Sequence, residues 1–119
     1  MRASTVLKGA LIAAVAACSD SGSPGGCTTS ANQICMVSST FNQATLNVTV
    51  GTKVYWQNGD AVVHSTTSST IPATAATWDL TIAAGARDSV TFTVAGTHQY
   101  FCKFHGTANS GMRGTINVQ

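Results

Sequence analysis

From Ile34 onward the pattern is that of short β-strands, the clearest of which alternate apolar and polar residues with a period of two. In "ATLNVTV", Leu46, Val48 and Val50 alternate with Thr45, Asn47 and Thr49, the pattern of a strand with one face buried. Gly51-Thr52 turns the chain, and "KVYWQN" follows with Val54 and Trp56 on one face. Asn58-Gly59-Asp60 is a strong turn signal. "VVHSTTS" and "TWDLTI" predict two further strands, separated by a loop around Ile71-Pro72. "DSVTFTV" alternates through Val90, Phe92 and Val94. "THQYFC" follows a turn at Ala95-Gly96, and "MRGTINV" closes the chain with Ile116 and Val118. No stretch of this region sustains helical periodicity. Seven to eight short strands with turns at such intervals predict an all-β Greek-key β-sandwich.

Ahead of Ile34 the pattern is different. Residues 19–33, "SDSGSPGGCTTSANQ", contain no apolar run and read as a flexible Gly/Ser-rich linker. Before them, Arg2 and Lys8 precede an apolar run from Gly9 to Ala17. That run is too short to span a bilayer and has the length of a signal-peptide core. Val15, Ala16 and Ala17 ahead of Cys18 resemble a bacterial lipobox, which implies lipidation of Cys18 and export to the periplasm or cell envelope. Ordinary secretory cleavage near Ala14-Val15-Ala16 would instead leave Cys18 a free thiol. The expected organisation is a signal peptide at 1–17, a lipidated cysteine and linker at 18–33, and one domain at 34–119.

The formal net charge of +2 comes from Arg2 and Lys8. Without the signal segment, Lys53, Arg87, Lys103 and Arg113 balance Asp20, Asp60, Asp79 and Asp88. A neutral chain with no basic cluster argues against nucleic-acid binding. The expectation is a monomer that meets the membrane only through its lipid anchor. Export also lets disulfides persist. With Cys18 lipidated, Cys27, Cys35 and Cys102 allow three single pairings, and one thiol is always left over. Cys27 and Cys35 are close enough in sequence to bridge locally, which leaves Cys102 unpaired. A free thiol in an oxidising compartment is a liability unless something protects it.

"YFCKFHGTANSGMRG", residues 100–114, brings Cys102, His105 and Met112 together near the C-terminus. A fourth ligand for a compact site should come from another strand, and His64 in "NGDAVVHSTTS" is the well-placed candidate. Two imidazoles and a thiolate in a trigonal set, with a weak axial thioether, form a coordination that suits blue copper. Taken singly, His64, Cys102 and Met112 would each be ordinary core residues. Jointly, with this spacing in a β context, they point to a metal. His98 shares a strand with Cys102 but reads as structural, and Trp56 and Trp78 read as core and partial surface.

From about Ile34 to Gln119 the chain resembles the plastocyanin-like cupredoxins, small blue copper electron carriers. The resemblance rests on "FNQATLNVTVG" (41–51), "VYWQN" (54–58), "GTHQYFCKFH" (96–105) and "GMRG" (111–114) followed by an apolar strand. It implies an eight-stranded cupredoxin sandwich, one copper ion cycling between Cu(I) and Cu(II), and the ligands His64, Cys102, His105 and Met112. Three departures stand out. Phe104 replaces the usual proline before the second histidine, Ser65 replaces the asparagine that steadies the cysteine loop, and the Gly106–Gly111 gap is two residues longer than usual. The longer gap bears on how close Met112 sits as an axial ligand.

Electrons would pass through the His105 ring edge, whose loop neighbours Ala61, Val62, Phe104 and Ala108 are small or apolar. Such a patch suits transient docking of a redox protein, a cytochrome or a copper or haem oxidoreductase. Two rival readings are a copper storage or delivery protein and a metal-free β-sandwich surface lipoprotein. Catalysis is not expected, because the extra His-x-His pairs of multicopper oxidases and nitrite reductases are missing from the sequence.

Overall fold

The alternation along the chain becomes two facing layers. The structure, a computed structural model, describes residues 27–69 and 76–119; the signal segment, Cys18, the first half of the linker and Ile71-Pro72 lie outside them. Within the described residues the strands are β1 (Gln33–Val37), β2 (Thr40–Asn42), β3 (Thr45–Val48), β4 (Thr52–Asn58), β5 (His64–Ser68), β6 (Asp79–Ile82), β7 (Arg87–Phe92), β8 (Gly96–Gly106) and β9 (Gly111–Val118). They build a four-stranded sheet, β2-β1-β4-β7, and a five-stranded sheet, β3-β9-β8-β5-β6. Both sheets are mixed, since β1 runs parallel to β4 and β3 parallel to β9. Only β1–β2, β5–β6 and β8–β9 join neighbours within a sheet; the other connections cross between layers. The chain is therefore an all-β sandwich.

Each layer turns its apolar set inward. Ile34, Met36, Phe41, Val54, Trp56 and Phe92 from the first sheet meet Leu46, Val48, Ile82, Tyr100, Ile116 and Val118 from the second. Trp56 is fully buried and lies at the centre, its ring 5.3 Å from Tyr100 and 6.2 Å from Trp78. Tyr100 pairs across β8–β9 with Gly114, where a Cβ would overlap the phenol hydroxyl, so the glycine makes room for the ring.

Among the described residues the nine strands are the seven segments read from the sequence plus one hairpin, β1–β2. Its turn pairs Val37 with Thr40, and both central residues, Ser38 and Ser39, have φ of 54°. That geometry belongs to the two-residue hairpin turns that Asn-Gly usually signals, and a Ser-Ser pair does not advertise it. Residues 27–33, placed in the linker on composition, are fastened to the sheet. Ser30 and Gln33 exchange backbone hydrogen bonds, Tyr55 N–H donates to Asn32, and Gln33 opens β1 opposite Tyr55. Cys27 and Cys35 form a disulfide that ties this stretch to β1 on the face opposite Ile34 and Met36, where Cys35 is fully buried.

Candidate metal centre

Three elements bring the predicted donors to one end of the sandwich. Asn58, the last residue of β4, is fully buried and clamps the following loop. Its Nδ2 donates to the carbonyls of Val62 (2.7 Å) and Ile82 (3.0 Å), and its Oδ1 accepts from the Asp60 N–H (2.9 Å). The loop then delivers His64 at the first position of β5, opposite Ile82. β5 is the inner strand between β6 and β8, and His64, Ser65 and Thr66 are all fully buried there.

On β8, pairing with β9 is regular as far as Phe101↔Arg113, then shifts, and resumes at Gly106↔Gly111. Cys102 and His105 lie in this irregular stretch, so the strand does not end at Cys102 as the sequence suggested. The resumed pairing absorbs the long gap before Met112. Thr107 N–H bonds to the Ser110 carbonyl (2.8 Å), and the Thr107 hydroxyl accepts from the N–H groups of Asn109 and Ser110 (3.2 Å each). The strands approach closely at the base of this hairpin. Gly111 has φ of 83°, and a Cβ there would stand 2.6 Å from the His105 carbonyl oxygen. The extra residues form a self-contained turn, and Met112 returns to the core, 3% exposed.

His64, Cys102 and His105 converge, with one ligand atom from each lying within 4.8 Å of the others. His64 Nδ1 is 3.1 Å from His105 Nδ1 and 3.7 Å from Cys102 Sγ, and Sγ is 3.5 Å from His105 Nδ1. A point equidistant from the three atoms lies about 2 Å from each, the length of a metal–imidazole bond. The donor set fits one soft or borderline metal ion, and copper suits a thiolate with two imidazoles. His64 and Cys102 are fully buried, whereas His105 is exposed.

Asp60, which the sequence reading treated only as a turn residue, completes the site. Its Oδ2 sits 2.8 Å from His64 Nε2, and its two oxygens accept the N–H groups of Ser38 (2.8 Å) and Ser39 (2.9 Å). A carboxylate facing Nε2 keeps the proton there and leaves the Nδ1 lone pair pointing at the cluster. Burial alone would raise the Asp60 pKa. The Ser39 N–H, the His64 ring and the Ser38 N–H outweigh that and hold it below the usual 3.8. The sequence signal was an acid four residues before a histidine across a turn, too common a pattern to single out.

Ser65, noted as a departure from the expected asparagine, steadies the cysteine stretch in its own way. Its N–H donates to Cys102 Sγ (3.3 Å), and its hydroxyl accepts the Lys103 N–H (2.9 Å). His98 is buried at the start of β8, with Nε2 2.9 Å from the Val94 carbonyl and its ring 5.3 Å from Phe92. It takes the structural place expected of it. Of the residues expected to rim His105, Ala61, Val62 and Phe104 are exposed and Ala108 is half-buried; Val63, next to Val62, is a further exposed apolar side chain.

The family model described as "Copper binding proteins, plastocyanin/azurin family" matches residues 27–119. Among solved structures, a reduced-state amicyanin variant is 28% identical with a TM-score of 0.62, over 82% of this chain and 90% of its own. A purple cupredoxin from Nitrosopumilus maritimus is 24% identical with a TM-score of 0.61, over 73% and 98%, and speaks for the fold alone. A copper-containing nitrite reductase from Thermus scotoductus SA-01 is 25% identical with a TM-score of 0.64, over 73% of this chain but 22% of its own. No curated protein matches the sequence.

Proposed function

The chain belongs to the plastocyanin/azurin family of copper-binding proteins, and on that premise we propose that it is a one-electron carrier with a type 1 copper centre. His64, Cys102 and His105 would hold the ion, and Met112, buried at the start of β9, would supply the fourth donor. The observation that carries this reading is the convergence of two imidazole nitrogens and a free, buried thiol at bond-forming separations. Bound copper supplies the Cu(I)/Cu(II) couple. The side chains do the rest. Asp60 fixes the His64 tautomer, and the Ser65 N–H supports the negative sulfur of Cys102. β5 and the hairpin that closes at Gly106 and Gly111 would hold the donors in advance, so that neither oxidation state would call for a large rearrangement. The exposed His105 ring is the port for the electron, and the apolar rim of Ala61, Val62 and Phe104 receives a redox protein for a short encounter.

Setting this in the cell envelope, on a lipid anchor at Cys18, is part of the same proposal and rests on the N-terminal sequence alone. Storage or delivery of copper is less well supported. Carriers of that kind cluster methionines, and beyond Met1 the chain has only Met36, in the core, and Met112.

Loading the domain with Cu(II) should give intense visible absorption from thiolate-to-copper charge transfer. Replacing Cys102 with Ser should abolish that band while the apo domain still folds. A parent protein that binds no Cu(II), or a Cys102→Ser variant with an unchanged spectrum, would sink the reading.

A further inference from the structure

Cross-strand pairing to β9 stops at Phe101 and resumes at Gly106, so the segment presenting Cys102 and His105 cannot rely on the ladder that fixes the rest of β8. Ser65 grips this segment from β5, with its N–H on Cys102 Sγ and its hydroxyl on the Lys103 N–H. A hydroxyl that accepts must still send its own proton somewhere, and the neighbouring residues decide where. Thr67 donates its hydroxyl proton to Asp79 Oδ1 at 2.9 Å. At the 3.0 Å contact between Ser65 Oγ and Thr67 Oγ1, Ser65 must therefore donate and Thr67 accept. Lys103 then returns to the same carboxylate, its Nζ 3.1 Å and 2.8 Å from the two Asp79 oxygens.

The result is a closed ring in which every donor leads to one acceptor. From the Lys103 amide the hydroxyls of Ser65 and Thr67 point toward Asp79, and from the other side the Lys103 ammonium donates to the same carboxylate. The ion pair itself is largely exposed, 41% and 52%, and contributes little alone. Its use is to terminate a polarised chain of hydroxyls whose inner member, Ser65, is fully buried.

We propose that Thr67 and Asp79 are positioning residues for the copper site: they orient the Ser65 hydroxyl, which holds the Lys103 amide and so aims the Cys102 thiolate. The proposal rests on the copper reading above.

Thr67→Val opens the ring, and Thr67→Ser keeps it. In the metal-free protein, Thr67→Val should speed hydrogen exchange at the Lys103 amide about tenfold, with parent behaviour restored by Thr67→Ser. In the copper-loaded protein, the visible band and the reduction potential should shift in Thr67→Val and recover in Thr67→Ser. Asp79→Ala, at an exposed site that does not endanger folding, should reproduce both effects. Faster exchange with an unmoved band and potential would leave the ring a backbone brace and overturn the proposal. Unchanged exchange in both opened variants would overturn it as well. Absence of the band from the parent would bring down the copper reading and the proposal together, while the exchange data would still report whether the ring exists.

Discussion

At Asp60, one carboxylate satisfies three donors: the His64 ring and two successive N–H groups of a hairpin turn in left-handed backbone. Serine gains nothing from positive φ, so the Ser38–Ser39 conformation needs an external anchor, and Asp60 supplies it. The same carboxylate feeds negative charge into an imidazole that would bind the metal, which favours the more highly charged ion. Asp60→Asn keeps an acceptor but removes the charge. It should cost about 2 kcal/mol in denaturant unfolding, the range for hydrogen bonds to charged groups. It should also raise the reduction potential and weaken copper affinity about 10- to 100-fold, as read by redox and metal titration. An unchanged potential alongside lost stability would confine Asp60 to bracing the turn.

Among the strands, β3, β4, β7 and β9 could be read directly, because each has one buried face and one wet one: Val54, Trp56 and Asn58 point inward on β4 while Lys53 is exposed. β5 carries no such alternation. It is an inner strand that carries hydroxyls satisfied by Trp78 just before β6, Asp79 on β6 and Lys103 on β8, so it looks polar while being mostly buried. The β1–β2 hairpin was hidden for another reason: its turn is stabilised by an acid more than twenty residues away, which no local pattern can reveal. The three donors His64, Cys102 and His105 were legible because their residue types are rare in this chain, whereas Asp60 and the Thr67–Asp79 chain depend on which strands become neighbours. The disulfide adds a local constraint at β1. Closing a loop with a separation of eight residues should stabilise the domain by about 2.5 kcal/mol. Melting curves of the metal-free domain with and without reductant should differ accordingly, and equal curves would show that the cross-link adds no stability.

Charge is sparse across the described residues, four cations against three acids. The described residues carry Lys53, Arg87, Lys103 and Arg113 against Asp60, Asp79 and Asp88, and two of the acids are already engaged, by His64 and Lys103. In the stretch around His105, Lys103 is paired with Asp79 and Arg113 adds one charge beside the Ala108 carbonyl, so encounter with a redox partner should be governed mainly by apolar contact. Electron-transfer rates with such a partner should therefore change little between low and high ionic strength. A steep fall with added salt would mean that charge steers the encounter instead. The uneven exposure of the donors has a larger consequence. Sulfur and one imidazole are sealed inside the sandwich while a single ring looks out. With copper bound as proposed, chelators and small thiols would have to wait for the sandwich to breathe, but an electron would need only the ring, so the same wall that keeps molecules out would be open to current.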